Sequence, residues 1–178
     1  MGEIMDNFDY AFKKTLGAEG GYSDDPLDKG GESNFGITKA TFEDALNRMV
    51  ISGVSDVKDL TVAQAKAIYK VDYWHKIRLG EVKSREIAAE IFDIGVNAGT
   101  KRAILITQKA LNYLGENLAE DGAMGPITLA AVNKWTEKDK RALLICLNGC
   151  QFIWYIEIIK NNPSQKKFFR GWTKRISL

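Results

Sequence analysis

Apolar residues recur at helical spacing along most of this chain. Between Asp6 and Ala18 they fall at Phe8, Ala11, Phe12 and Leu16, which predicts an amphipathic helix capped by Asp6 and ended by Gly20-Gly21. The spacing resumes after Thr38, through Ala40, Phe42, Ala45, Leu46 and Met49. Thr61 and Gln64 form a capping-box pattern ahead of a helix that runs to about His75. A further helix is predicted from about Ser84 to Asn97, stopped by Gly99; Thr100 is expected to cap the next, which Gly115 closes. Pro126 suits the first position of a helix through Trp135, and a long helix follows from about Lys138 to Asn161, stopping before Pro163. Residues 20–37 break the pattern. Five Gly, one Pro and several Asp or Ser leave room for short strands alone, centred near Tyr22 and Phe35-Ile37. The fold class is therefore mainly α, with a small β-hairpin or loop near residues 20–37.

Composition narrows the chemistry. The 178 residues suit one domain or two tightly packed halves, and the stretch from Leu79 to Ser84 lacks linker composition. Residues 6–83 and 84–178 are thus expected to pack as one compact unit, a monomer. One His and two Cys cannot build a common zinc site without carboxylates, and no metal is expected. A Ser-His-Asp triad would have to use His75, which reads more simply as a polar helix end. A net charge of +2 argues against a nucleic-acid partner. Cys146 and Cys150 lie four apart on one helical face, a spacing that reads as two small core residues and not a disulfide. Asn148, Gln151 and Glu157 interrupt the tract from Ala142 to Ile159, so it reads as a buried amphipathic helix without stable membrane insertion. Acidic residues interrupt the N-terminus where a signal peptide would be basic and then apolar, so synthesis in the cytoplasm is expected.

What remains plentiful is carboxylate. Glu19 follows an amphipathic helix and precedes two glycines, and Asp24, Asp25 and Asp28 follow in a Gly-rich loop. Cleaving a glycosidic bond takes an acid that protonates the leaving oxygen and a carboxylate that handles a water or the developing cation. A helix-end carboxyl against aromatic rings suits the first role, because desolvation raises its pKa; a carboxylate on a wet loop stays ionised. Eight residues separate Glu19 from Asp28, enough for the loop to fold one across a cleft from the other. Simpler readings stand beside these: Asp28 as a turn residue before Gly30-Gly31, and Thr38 as a helix cap. Tyr22 and Phe35 are candidates to line a sugar site, or to close a minicore under the hairpin. Asn97 is a polar residue near apolar Phe92 and Val96, and is a candidate to bind an N-acetyl or hydroxyl group. Lys166, Lys167, Arg170, Lys174 and Arg175 read as a solvated face or an attraction for anionic cell wall.

Three consecutive stretches carry a resemblance: Glu19-Gly20-Gly21-Tyr22, then Asp25-Pro26-Leu27-Asp28-Lys29-Gly30-Gly31, then Asn34-Phe35-Gly36-Ile37-Thr38. Together they resemble the motif of glycoside hydrolase family 108 muramidases, found in phage endolysins and in bacterial proteins labelled secretion activators. Residues 91–111, 121–132 and 168–176 look like the companion peptidoglycan-binding region of that family. The resemblance implies a lysozyme-like helical fold, a catalytic half over 6–83 and a peptidoglycan-binding half over 84–178. It implies Glu19 as the catalytic acid, with Asp28 and Thr38 as further site residues by analogy with T4-type lysozymes. The Asp28–Thr38 spacing is longer than in those enzymes. The implied reaction is cleavage of the β-1,4 bond between N-acetylmuramic acid and N-acetylglucosamine, with no cofactor, at the cell wall after release or holin-type export. A lytic transglycosylase using Glu19 alone, a non-catalytic peptidoglycan-binding or secretion-related protein, and a helical scaffold are the alternatives.

Overall fold

The computed structural model describes residues 6–17, 21–23 and 31–176. Its architecture is mainly α and lysozyme-like, with one small antiparallel sheet. Helix α1 (Asn7–Leu16) begins at Asp6, whose carboxylate accepts from the Asp9 amide at 2.6 Å. Gly17 at φ 62° ends it, one turn earlier than the Gly20-Gly21 expectation. Its amide donates to the Lys13 carbonyl, so the first glycine in reach takes the left-handed stop.

Strands β1 (Tyr22–Ser23), β2 (Ser33–Asn34) and β3 (Ile37–Thr38) form the sheet in that order. Helix α2 (Lys39–Asn47) grows directly from β3. Thr61 and Gln64 close the expected capping box on α3 (Val62–Tyr69). Beyond Tyr69 the helix continues to His75 as a wider π-helical segment (Lys70–His75), the end point the spacing predicts but with a different winding. Exposed His75 stands at its end.

Helix α4 (Arg85–Ala98) is the centre of the molecule. Every residue from Ile87 to Gly95 is buried, so it is covered on all sides, by α1, the π segment, α5 (Thr100–Tyr113) and α6 (Pro126–Asn161). Ser84 caps it by accepting from the Ile87 amide. Gly99 at φ 85° ends α4 and itself occupies the cap of α5, so Thr100 is the first residue inside that helix and not its cap.

Pro126 opens α6, and Asp139 breaks its regular geometry with φ −160° and ψ 83°. The Asp139 carboxylate accepts from the Ala142 amide and restarts the winding, which accounts for the two successive helices read from the spacing. By length and hydropathy α6 could cross a membrane. Its Leu143, Leu147, Gln151 and Tyr155 are buried in the protein, while Ile145, Phe152 and Ile153 on other faces are exposed. Cys146 and Cys150 are free thiols, half-buried and buried. A six-residue 3₁₀ turn (Pro163–Phe168) and short α7 (Phe169–Thr173) return the chain over α6.

The two halves are stitched at their connection. The Asn133 side chain on α6 accepts from the Lys83 amide at 2.9 Å and donates to the Glu81 carbonyl at 2.9 Å. Deeper, the Phe92 ring of α4 meets four others edge-on: Phe8 at 6.0 Å, Tyr69 at 6.2 Å, Tyr73 at 6.5 Å and Trp74 at 6.0 Å. One side chain thereby joins α1, α3, the π segment and α4. Replacing Phe92 with Ala removes a fully buried ring from this junction and is expected to cost about 3–5 kcal/mol of stability. Urea unfolding of the two proteins checks it.

Candidate functional site

The hairpin between β2 and β3 is built by its turn. Phe35 and Gly36 connect the strands with φ of 52° and 73°, the doubly left-handed form that matches strand twist. Gly36 adopts this freely. Phe35 does so at a cost of about 1–2 kcal/mol, which the surroundings must offset. The Tyr69 hydroxyl donates to the Phe35 carbonyl at 3.0 Å and clamps the turn to α3. A Cβ on Gly36 would lie 3.0 Å from that hydroxyl, so glycine is required for approach as well as for φ. Burial pushes the Tyr69 phenol well above the usual tyrosine range and keeps it a neutral donor.

Asn34 ties the hairpin down from the other side. It is buried, and its amide donates to the Val57 carbonyl at 3.0 Å and the Lys58 carbonyl at 2.9 Å. Across β1 and β2, Tyr22 pairs with Asn34. The Tyr22 hydroxyl donates to Glu32 at 2.7 Å, and Lys39 approaches the other Glu32 oxygen at 3.3 Å. The bond from Tyr22, then that from Lys39, holds the Glu32 carboxyl below the usual glutamate range.

Of the residues singled out in the sequence, Glu19 and Asp28 lie outside the described residues, as do Asp24 and Asp25. Tyr22 and Thr38 stand on the one sheet. Tyr22 is 46% exposed, as a surface contact for a ligand requires. Phe35 is half-buried at the turn and packs against the core. The Thr38 oxygen accepts from the Thr41 amide at 3.3 Å and caps α2, with the Thr41 hydroxyl 3.1 Å away. Asn97 is exposed on the last turn of α4, and its hydrogen bonds run to Asp93, not to the hairpin: 2.7 Å to the carbonyl and 3.2 Å to the carboxylate.

The described residues also form two charged hollows. One, of about 340 Å³, is walled by Lys14 and Thr15 from the end of α1, Glu90 and Asp93 from α4, and Lys174 and Arg175 from the tail. Glu90, 1% exposed, pairs with Lys14 at 3.2 Å; Asp93 pairs with Arg175 at 3.0 Å. Arg175 is thus an inter-element clamp and not part of a solvated face, whereas Lys166, Lys167, Arg170 and Lys174 are exposed. Desolvation raises the Asp93 pKa, opposed by the Arg175 charge. The second hollow, about 390 Å³, lies between α2, the π segment and the α4–α5 corner, with Arg48 bridging Asp44 and Asp72. Burial, then the Asp72 charge, raises the Tyr73 phenol there. Among the described residues no group of three or more His, Cys, Asp or Glu could hold a metal.

Spacing does not single out Glu32, and it reads Arg175 as a tail charge and not as the partner of Asp93. Glu32 carries a usable signal, an acidic residue inside the motif; the partner of Arg175 is 82 positions away and leaves none.

Comparison with known proteins places this arrangement. The family profile described as Glycosyl hydrolase 108 matches residues 12–99. Among solved structures, SagA of Brucella abortus is 30% identical, with a TM-score of 0.74, over 95% of this chain and 88% of that one. The chain belongs to glycoside hydrolase family 108. A second profile, described as a predicted peptidoglycan domain, matches residues 102–177. A comparison with curated proteins gives no match. For a family 108 chain of this make-up, a role in hydrolysing or binding peptidoglycan follows. The two matched stretches meet at the α4–α5 corner, so α4 closes the hydrolase region and is also the wall against which α5 and α6 pack.

The turn geometry gives a direct check. Gly36→Ala is expected to lose more than about 1 kcal/mol from the left-handed backbone alone. Adding Tyr69→Phe relieves the steric part, so the double variant should be less destabilised than the two single losses summed, as read by urea unfolding.

Proposed function

We propose that this protein is an N-acetylmuramidase that cleaves the β-1,4 bond between N-acetylmuramic acid and N-acetylglucosamine in peptidoglycan, with Glu19 as general acid. The observation that carries the proposal is the family 108 match over residues 12–99, which takes in the whole Glu19–Thr38 motif, joined to a peptidoglycan-region match over 102–177. The described hairpin supports it: exposed Tyr22 stands in the chain between Glu19 and Asp28, and the clamped turn follows them.

In this reading the Glu19 carboxyl gives its proton to the glycosidic oxygen. The bond from that oxygen to the anomeric carbon breaks, its electron pair staying with the oxygen, and an oxocarbenium-like centre develops. Water adds its oxygen to the anomeric carbon, and the proton it releases passes to a carboxylate, for which Asp28 is the candidate. Thr38 stands nearby in the motif as a candidate to orient the water, and Asn97 as a candidate contact for a substituent on the sugar. Residues 84–178 hold the polymer, a division of labour proposed with the activity.

The test is release of reducing ends from purified sacculi. Wild type should generate muropeptides with reducing muramic acid ends, and Glu19→Gln should be slower by about 10²–10⁴-fold, the usual contribution of a positioned acid. A Glu19→Gln rate equal to wild type overturns the assignment. Products ending in 1,6-anhydro sugars would instead identify a lytic transglycosylase, in which the muramyl 6-hydroxyl replaces water and Asp28→Asn stays active.

A further inference from the structure

A groove of about 140 Å³ runs between α5 and α6, wholly within the stretch that matches the peptidoglycan region. Its two walls are helix faces of matching period: residues 102, 105, 106 and 109 on α5, and 150, 153, 154 and 157 on α6. The floor is apolar. Cys150 is buried there, and burial pushes its thiol up to about 11, so it stays uncharged. Ile153 beside it is 46% exposed, an apolar surface with no cover among the described residues.

The ends of the groove are charged, and each end carries both signs. Arg102 lies over Trp154, with Glu157 one turn on, and marks one end; Lys109 and Glu120 both act on Cys150 and mark the other. Arg102, Lys109 and Glu157 form no ion pair with another described residue, while elsewhere Lys14, Lys66, Lys83 and Lys134 are each paired. Glu120 accepts one weak bond, from the Asn112 amide at 3.3 Å. Arg102 and Lys109 are two helical turns apart, so the two charged ends are separated by about 10 Å. An extended peptide covers that distance in about three residues.

We propose that this groove binds the peptide stem of peptidoglycan, laid extended between α5 and α6, with stem carboxylates at Arg102 and Lys109 and the side-chain ammonium of a diamino acid at Glu120 or Glu157. Small apolar residues of the stem lie on Ile153 and the floor. The glycan is the poorer occupant. Sugars are held by stacking on open aromatic faces, and the aromatic ring in this groove, Trp154, has the Arg102 guanidinium over it at 5.9 Å and Tyr155 packed beside it at 5.4 Å. This inference rests on the reading of residues 102–177 as the wall-binding region and deepens it by naming the part of the wall that is held.

The experiment measures binding to the full Glu19→Gln chain by calorimetry, so that it reads affinity without turnover. Three probes are compared: the N-acetylglucosaminyl-N-acetylmuramic acid disaccharide carrying an L-Ala–D-Glu–diaminopimelate stem, the same disaccharide with the stem removed, and the tripeptide alone. The stem should raise disaccharide affinity by about tenfold or more, and the tripeptide alone should bind. Arg102→Glu combined with Lys109→Glu should lose about tenfold for the stem-bearing probe, the scale of two exposed charge pairs, at unchanged melting temperature. Equal affinity for the disaccharide with and without its stem overturns the proposal, as does no binding of either or an unaltered affinity in the folded double variant. The comparison of probes needs no groove variant, so it stands even if the double variant does not fold. Failure here leaves reducing-end release from sacculi untouched, and loss of that activity leaves these affinities untouched.

Discussion

Phe92 sits at 0% exposure on a helix buried over nine consecutive residues, and the rings of Phe8, Tyr69, Tyr73 and Trp74 all turn their edges or faces to it. Each such pair adds about 0.5–1.5 kcal/mol beyond the area it buries. The consequence is positional as much as energetic. Phe8 fixes the helix that leads to Glu19, and Tyr69 carries the hydroxyl that clamps the hairpin turn. Helices α1 and α3 therefore share one packing partner, and that partner belongs to the helix on which α5 and α6 are built.

Strain and charge are distributed around this junction in a consistent way. Phe35 is held in a left-handed conformation, a Cβ on Gly36 would crowd the Tyr69 hydroxyl, and Asn34 is committed to carbonyls of the turn at Val57–Lys58. The Asn-Phe-Gly-Ile-Thr part of the motif thus builds the hairpin and caps α2. At the end of α1, buried Glu90 and Asp93 are matched by Lys14 and by Arg175 from the far end of the chain. Pairs of this kind contribute little net stability, because desolvation offsets much of the attraction, but breaking one leaves a buried charge. Arg175 therefore fixes where the tail lies.

Local chemistry was legible in the sequence; distant partners were not. Asp6, the Thr61–Gln64 box, Gly99 and Pro126 each act within four residues of themselves, and each does in the fold what its type predicts. The two errors of helix ending and capping, Gly17 before Gly20 and Gly99 in place of Thr100, are choices between adjacent candidates of similar propensity. The π winding from Lys70 to His75 changes the hydrogen-bond span and not the composition, so periodicity carries no sign of it. Glu32 gains its role from Tyr22, ten residues away across the sheet, and Arg175 from Asp93, 82 residues away; such pairings are set by topology. The family motif was readable because it is contiguous. The groove between α5 and α6 is assembled from stretches some forty residues apart in sequence and becomes visible in the fold alone.

In the proposed function, Glu19 protonates a glycosidic oxygen of a bound glycan strand. The most direct test is a crystal structure of the Glu19→Gln chain with a bound peptidoglycan tetrasaccharide. A glycosidic oxygen is expected within hydrogen-bond reach of the residue 19 side chain, about 2.6–3.2 Å, with the strand running past Tyr22. A glycan ordered elsewhere on the surface, with residue 19 turned away from it, would rule out Glu19 as the acid.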